Sequence, residues 1–257
     1  MKESTFPAPE TIEDRYSFDS LFKGAITLRQ HRKGYRFSLD AVLLAHFIRP
    51  RKNDTILDLG TGCGIVPLIL TYRYGPQLHI EGIEVQESLA ELAQANVAEN
   101  GLEKSIIVSR ADLRDIKKMF SPGTFRWVVC NPPYRHPADG RCSKGPEKAI
   151  ARHELKAELQ DVVTATSYLL DPGGRCAIIY PAAKLSRLIT LLQSNNLIPK
   201  RLQIVYSYSE ENPARLVLVE ALKDGGEELE ILPPFYVYEH KNGPYSKAMQ
   251  KLYEPNR

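Results

Sequence analysis

Long apolar runs are missing from this sequence. The densest, Ile65-Val66-Pro67-Leu68-Ile69-Leu70, is far short of a bilayer span. Residues Met1 to Asp19 are polar and acidic and hold no hydrophobic segment, so no secretory signal is read there. Cysteine is sparse and scattered: Cys63, Cys130, Cys142 and Cys176 form no CxxC pair and no Cys/His cluster at zinc spacing. A disulfide framework and a structural metal are therefore not expected. Internal repeats and low-complexity tracts are absent too. What remains is ordinary: 43% hydrophobic and 25% charged over 257 residues, enough for one full core and against wholesale disorder. A protein of the reducing cytoplasm, outside any membrane and without metal, is the simplest expectation; oligomeric state is not legible.

Acidic residues are scarce in one stretch in particular. From Leu21 to Lys52 there are eight Lys/Arg (Lys23, Arg29, Arg32, Lys33, Arg36, Arg49, Arg51, Lys52) against the single acid Asp40, although the whole chain carries only +3. Between Arg135 and Gln160 six bases face four acids, with His136 and His153 alongside. Such segments serve as phosphate-binding surfaces or simply as solvated faces, and charge alone favours the solvated face.

From Asn53 onward, short apolar strands alternate with helix-period segments, the pattern of a parallel sheet flanked by helices. Strands are predicted at Thr55–Leu59, His79–Val85, Ser105–Ser109, Arg126–Cys130, Arg175–Tyr180, Leu202–Tyr208 and Arg215–Leu222. Helices are predicted at Gly64–Tyr74, Glu87–Glu99, Glu154–Leu170 and Ala182–Ser194. The helix over 87–99 carries Leu89, Leu92, Ala93, Asn96 and Val97 on one stripe. Asp171-Pro172-Gly173-Gly174 reads as a turn. Ahead of the core, Ala25–His31 reads as a strand and Leu39–Phe47 as an amphipathic helix. The N-terminal tail and the stretch 134–151 show no clear element. The domain expectation is an N-terminal extension over 1–52, a core over 53–224 and a C-terminal extension of the same domain over 225–257.

Asp58-Leu59-Gly60-Thr61-Gly62-Cys63-Gly64 falls where the first core strand hands over to a helix. Glycines there let the backbone turn and approach a ligand, and the helix start offers free N–H groups. The spacing is GxGxG; a dinucleotide fingerprint would need a small residue where Ile65 stands. Asp58 beside the loop suits the ammonium and sulfonium of S-adenosylmethionine better than it suits a pyrophosphate. Glu84, at the end of the second strand, can accept both ribose hydroxyls, or simply cap the next helix. Asp112 can accept from the cofactor adenine amine, and a plain helix N-cap explains it nearly as well.

Asn131-Pro132-Pro133-Tyr134 follows directly on the fourth strand. Two prolines hold Asn131 rigidly at the carboxyl end of the sheet, the edge where open α/β sheets bind ligands. An exocyclic adenine amine is a poor nucleophile, because its lone pair is delocalised into the ring. The Asn131 side-chain oxygen and the Pro132 carbonyl can each accept one amine hydrogen and turn the lone pair toward a methyl group. Tyr134 offers a ring for the target base to stack on.

On these motifs the sequence resembles class I S-adenosylmethionine-dependent methyltransferases of the NPPY subgroup. Within that group it most resembles the bacterial tRNA adenine-N6 methyltransferases that modify valine tRNA beside the anticodon. The likeness extends through Tyr35-Arg36-Phe37-Ser38-Leu39-Asp40-Ala41-Val42-Leu43-Leu44, Ala151-Arg152-His153-Glu154 and Asn212-Pro213-Ala214-Arg215, from about Leu21 to Lys223. It implies a Rossmann-like α/β fold: a seven-stranded, mostly parallel sheet with a reversed last strand and helices on both faces. It also implies S-adenosylmethionine as donor and Phe37, Ser38 and Asp40 as further cofactor contacts. With tRNA or another structured RNA as partner, the expected surface is Arg29, Arg32, Lys33 and Arg36 together with Arg135, Arg141, Lys144, Arg152 and His153.

Rival readings are a glutamine-N5 methyltransferase acting on a release factor, an adenine-N6 methyltransferase of ribosomal RNA, and a catalytically silent RNA-binding module. The first family normally carries a sizeable helical N-terminal domain, whereas only about fifty residues precede the core here, a basic segment with a strand and one helix. The last has no use for two convergent acceptors beside a cofactor loop.

Overall fold

A β-hairpin begins the described part of the chain, with β1 (Tyr16–Leu21) antiparallel to β2 (Ile26–His31). The computed structural model describes residues 15–32, 36–132, 158–211 and 213–255. Helix α1 (Leu39–Phe47) leads into the alternating run β3 (Thr55–Leu59), α2 (Ile65–Tyr74), β4 (His79–Glu84), α3 (Glu87–Glu99), β5 (Ile106–Arg110), the short α4 (Ile116–Met119) and β6 (Phe125–Cys130). After the undescribed stretch come α5 (Leu159–Leu169), β7 (Leu170–Pro181), α6 (Leu185–Ser194), β8 (Leu197–Tyr206) and β9 (Leu216–Lys223). The C-terminal segment adds β10 (Glu230–Ile231), β11 (Phe235–Tyr236) and α7 (Lys247–Lys251).

The strands form one nine-stranded sheet in the order β10-β8-β9-β7-β6-β3-β4-β5, with β11 also on β8. All its pairings are parallel except those of β9, which runs antiparallel to both β7 and β8. The expected seven strands with a reversed last one are its centre; the two short C-terminal strands extend its edge. The central strands β3, β6 and β7 are mostly apolar because both faces are covered. In β3, Ile56 joins the cluster under the hairpin, α1, α2 and α3, while Leu57 and Leu59 join the one under α4, α5 and α6. Successive side chains pointing to opposite faces produce that division. The first cluster also takes in Val237 and Met249 of the C-terminal segment.

Several expectations need correction. The N-terminal tail shows no clear element in the sequence, yet Tyr16–Leu21 is a strand paired along its length with β2. Helix α1 is not amphipathic: Ala41, Val42, Leu43, Leu44, Ala45 and Phe47 are all buried, because the helix lies under neighbouring elements on most sides. Asp171 to Gly174 do not end before a strand; they form a bulge inside β7, where the register against β6 shifts. Residues 182–184 form a 3-10 turn ahead of α6, and β8 starts earlier than expected, at Leu197.

Candidate active site

Strand β3 ends at Leu59 and α2 begins at Ile65, so the chain reverses through Gly60 to Gly64. Gly60, Gly62 and Gly64 hold φ of 74°, 59° and 84°, the left-handed region that favours glycine. A Cβ at Gly60 would meet nothing within 4 Å, whereas one at Gly64 would stand 3.3 Å from the Cβ of Ala93. Gly60 thus opens onto free space for a ligand, and Gly64 lets α2 approach α3. The amides of Gly60 and Thr61 both donate to the carbonyl of Ile83 at 2.9 Å, which pins the loop to the end of β4.

Two carboxylates lie beneath this loop. Glu84 accepts from the N–H of Gly62 at 3.0 Å through Oε2 and from the N–H of Gln86 at 2.9 Å through Oε1. Burial raises its carboxyl above the usual range. It braces the glycine loop against the start of α3, and each oxygen keeps a second lone pair for a ligand hydroxyl. Asp58 is only 2% exposed, and its Oδ2 has no hydrogen-bond partner among the described residues. Burial pushes its carboxyl up to about 7, against the lowering effect of the Thr61 hydroxyl and with a smaller push from the Glu84 charge. An orphaned buried carboxylate oxygen costs folding energy unless a donor or a cation completes it.

Asn131 stands on the same edge. Leu59 pairs with Cys130 in the parallel register of β3 and β6, so Asn131 follows beside Gly60. The thiol of Cys130 donates to the Leu59 carbonyl at 3.1 Å and closes the two strand ends together. Asn131 is half-buried at the strand tip and Pro132 is buried. Asn131 is therefore partly open at the strand tip that adjoins the glycine loop. Tyr134 lies outside the described residues.

The remaining expected contacts are distributed around this centre. Asp112 caps the 3-10 turn at 113–115, accepting from the N–H of Arg114 at 2.9 Å, and also pairs with the Arg114 guanidinium, which lowers its pKa. Phe37 donates its N–H to Gln30 Oε1 at 2.9 Å and packs on the first hydrophobic cluster. Ser38 is the exposed N-cap residue of α1, and Asp40 lies in its first turn. On the basic side, Arg29 is ion-paired with Glu99, Arg36 reaches Asp19 at 2.9 Å, and Arg32 is exposed. Lys33, Arg135, Arg141, Lys144, Arg152 and His153 lie outside the described residues.

Residues absent from the sequence-based site hold it together. Asn96 is fully buried on α3; its Oδ1 accepts from the N–H of Arg29 at 2.8 Å. Its Nδ2 donates to the carbonyls of Arg29 at 3.0 Å and Cys63 at 2.9 Å. One turn on, Asn100 repeats the grip on Thr27, accepting from its N–H at 3.0 Å and donating to its carbonyl at 2.7 Å. The two amides act as a substitute strand along the outer edge of β2, an edge that would otherwise leave backbone groups unpaired. A visible signal existed: an amide on an otherwise apolar helical stripe needs buried partners. Gly82 is the other omission, since a Cβ there would press on the Thr61 side chain at 3.0 Å. A glycine inside a predicted strand was its signal.

Among the described residues no cluster could hold a metal ion, and no helix is long and apolar enough to cross a membrane. The family model of the methyltransferase small domain matches residues 38–180. A Porphyromonas gingivalis (strain ATCC BAA-308 / W83) protein named tRNA1(Val) (adenine(37)-N6)-methyltransferase is 29% identical over 230 residues, covering 86% of this chain and 88% of the relative. A protein of the same name from Shewanella loihica is 27% identical, covering 85% of this chain and 90% of its own length. Among solved structures, a predicted O-methyltransferase from Agrobacterium tumefaciens superposes with a TM-score of 0.67 at 20% identity, over 83% of this chain and 94% of that one. A SAM-dependent O-methyltransferase from Thermotoga maritima gives 0.53 at 18% identity, over 77% of this chain and 69% of that one. At such identities the structures speak for the fold alone.

Proposed function

Because the chain belongs to the methyltransferase small domain family, we propose that it methylates the N6 amine of an adenine in tRNA, with S-adenosylmethionine as donor. The observation that carries this reading is the placing of Asn131 beside Gly60 at the carboxyl edge of adjacent parallel strands. The relatives named above are named as adenine-N6 methyltransferases of valine tRNA, which favours an RNA base over a protein side-chain amide and supports a target near the anticodon. A tRNA substrate accords with a protein of the cytoplasm.

The residues fit the donor. Gly60 leaves open space where a side chain would intrude, and the orphaned Oδ2 of Asp58 lies just under the loop. Asp58 supplies negative potential for the ammonium and sulfonium groups, Gly60, Gly62 and Gly64 the close backbone approach, and Glu84 acceptors for the ribose. Asp112, Phe37, Ser38 and Asp40 complete the surround. When bound, S-adenosylmethionine supplies an electrophilic methyl group.

The chain's own task is to prepare the nucleophile. The Asn131 side-chain oxygen and the Pro132 carbonyl each accept one hydrogen of the adenine amine, fixing its plane and directing its lone pair. As positive charge grows on that nitrogen, both acceptors stabilise it without having to reorganise. No strong base is required: as the N–C bond forms and the S–C bond of the donor breaks, the nitrogen becomes cationic and its acidic proton passes to solvent, leaving the thioether S-adenosylhomocysteine. Tyr134 stacks on the extruded base and holds it against these acceptors.

The test compares tRNA from cells with and without the gene by mass spectrometry of nucleosides, alongside transfer of labelled methyl groups by purified protein. Loss of one N6-methyladenine from tRNA, with label entering bulk tRNA but neither protein nor DNA, is the expected result. Label entering protein instead would overturn the reading in favour of a glutamine substrate.

A further inference from the structure

We infer that the outer face of the β1–β2 hairpin is a stacking platform for an unpaired base of the RNA substrate, with Phe18 as its exposed ring. This rests on the tRNA reading above and adds to it a recognition element in a segment that carries none of the catalytic motifs.

The hairpin has two unlike faces. Leu21, Ile26, Leu28 and Gln30 are buried on the inner one. On the outer one, Phe18 pairs with Arg29 and Tyr16 with His31 across the two strands. Phe18 is 52% exposed, an unusual position for a large apolar side chain in the middle of a paired strand. The Arg29 guanidinium lies over both rings, 5.6 Å from the centroid of Tyr16 and 5.5 Å from that of Phe18. The rings of Tyr16 and His31 are 5.1 Å apart. The result is a row of flat groups with one aromatic face left open.

The platform is held firmly and close to the chemistry. Asn96 and Asn100 fix the backbone of β2 at Arg29 and Thr27, and Asn96 reaches the Cys63 carbonyl of the glycine loop with the same amide. Only one side-chain amide therefore separates the strand bearing Arg29 from the donor-binding loop.

Charge points to the occupant. Residues 15–36 hold six Lys/Arg (Arg15, Lys23, Arg29, Arg32, Lys33, Arg36) and one acid, Asp19, which is engaged by Gln30 at 2.6 Å and by Arg36. Protein interfaces also favour aromatic and Arg side chains, but gather them in a contiguous, fully buried patch depleted of Lys. A single ring beside a cation, in a segment rich in Lys and Arg, instead matches single-stranded nucleic acid, whose bases stack while cations follow the phosphates. Because Glu99 already pairs with Arg29, the contribution of Phe18 is stacking and not charge.

Binding of bulk tRNA to the full chain is measured over a range of salt concentrations for wild type, Phe18→Ala and Phe18→Trp, with calorimetric titration of S-adenosylhomocysteine alongside. Phe18→Ala should weaken tRNA binding by about tenfold with an unchanged slope of log affinity against log salt. Its thermal midpoint and its affinity for S-adenosylhomocysteine should match wild type, and Phe18→Trp should restore tRNA affinity. Wild-type tRNA affinity in Phe18→Ala would overturn the platform while leaving the tRNA reading standing. A flattened salt slope would overturn it too, by making the ring a mere support for Arg29. So would a change in sedimentation, which would make Phe18 a contact between two copies of the chain. Failure of the wild-type protein to bind tRNA would remove the functional reading itself.

Discussion

The side-chain nitrogen of Asn96 donates to the carbonyl oxygen of Cys63 at 2.9 Å, tying the middle of the third helix to the centre of the glycine loop. The same amide grips Arg29 in the hairpin from both sides, so three separate segments converge on one buried group. Asn100, four residues along, holds only the hairpin and its own helix.

That difference gives the first prediction. Asn96→Ala leaves three backbone groups without their partner in a fully buried position and should cost about 3 kcal/mol. Asn100→Ala uncovers groups that water can reach, and should cost about 1 kcal/mol. Only Asn96→Ala should also weaken binding of S-adenosylhomocysteine, because only Asn96 reaches the loop. Urea unfolding and calorimetry check both; equal effects on cofactor affinity would mean that the loop holds its shape without Asn96.

The buried Asp58 makes cofactor binding depend on pH. Its carboxyl rises from 3.8 to about 7 on folding, so its contribution to stability is fully present below 3.8 and is lost as pH climbs through about 7. The unliganded fold is thus penalised once Asp58 ionises, and a cationic ligand relieves the penalty. Affinity for S-adenosylmethionine should rise roughly eightfold from about pH 6 to about pH 7.5, as the carboxylate form becomes dominant. Titrations of the wild type and Asp58→Asn across that window are the check. An equally steep dependence in Asp58→Asn would assign the proton to another group.

Arg32 lies exposed at the end of the hairpin, in the basic stretch expected to face phosphate. Reversing it to Glu should weaken tRNA binding and lower the salt slope by about 1, with cofactor affinity untouched. Filter binding at several ionic strengths reads this directly. Unchanged binding would take Arg32 out of the RNA surface.

The sheet was largely legible because each strand bears its own local signal. The apolar run ending in Asp58 and the run ending in Cys130 are both bounded by turn residues, and periodicity finds such segments. The Gly60–Gly64 loop and Asn131 were legible because their chemistry demands particular residues at particular strand ends. Strand β1 was missed because Tyr16-Ser17-Phe18-Asp19 offers little contrast between its faces; the strand exists through pairing with β2, a partner that local sequence does not name. The burial of α1 all round was equally non-local, set by the elements packed about it. Asn96 was visible on its stripe, but its three partners come from two distant segments that only the fold brings together.

The most direct measurement pairs turnover with cofactor binding in Asn131→Ala. If two oxygen acceptors at the tip of β6 prepare the amine, the variant should bind S-adenosylhomocysteine as wild type does. Methyl transfer to tRNA should then fall by about 10²–10³ in kcat. Retained turnover at wild-type cofactor affinity would contradict the account, because the adenine amine would then be oriented by something other than Asn131.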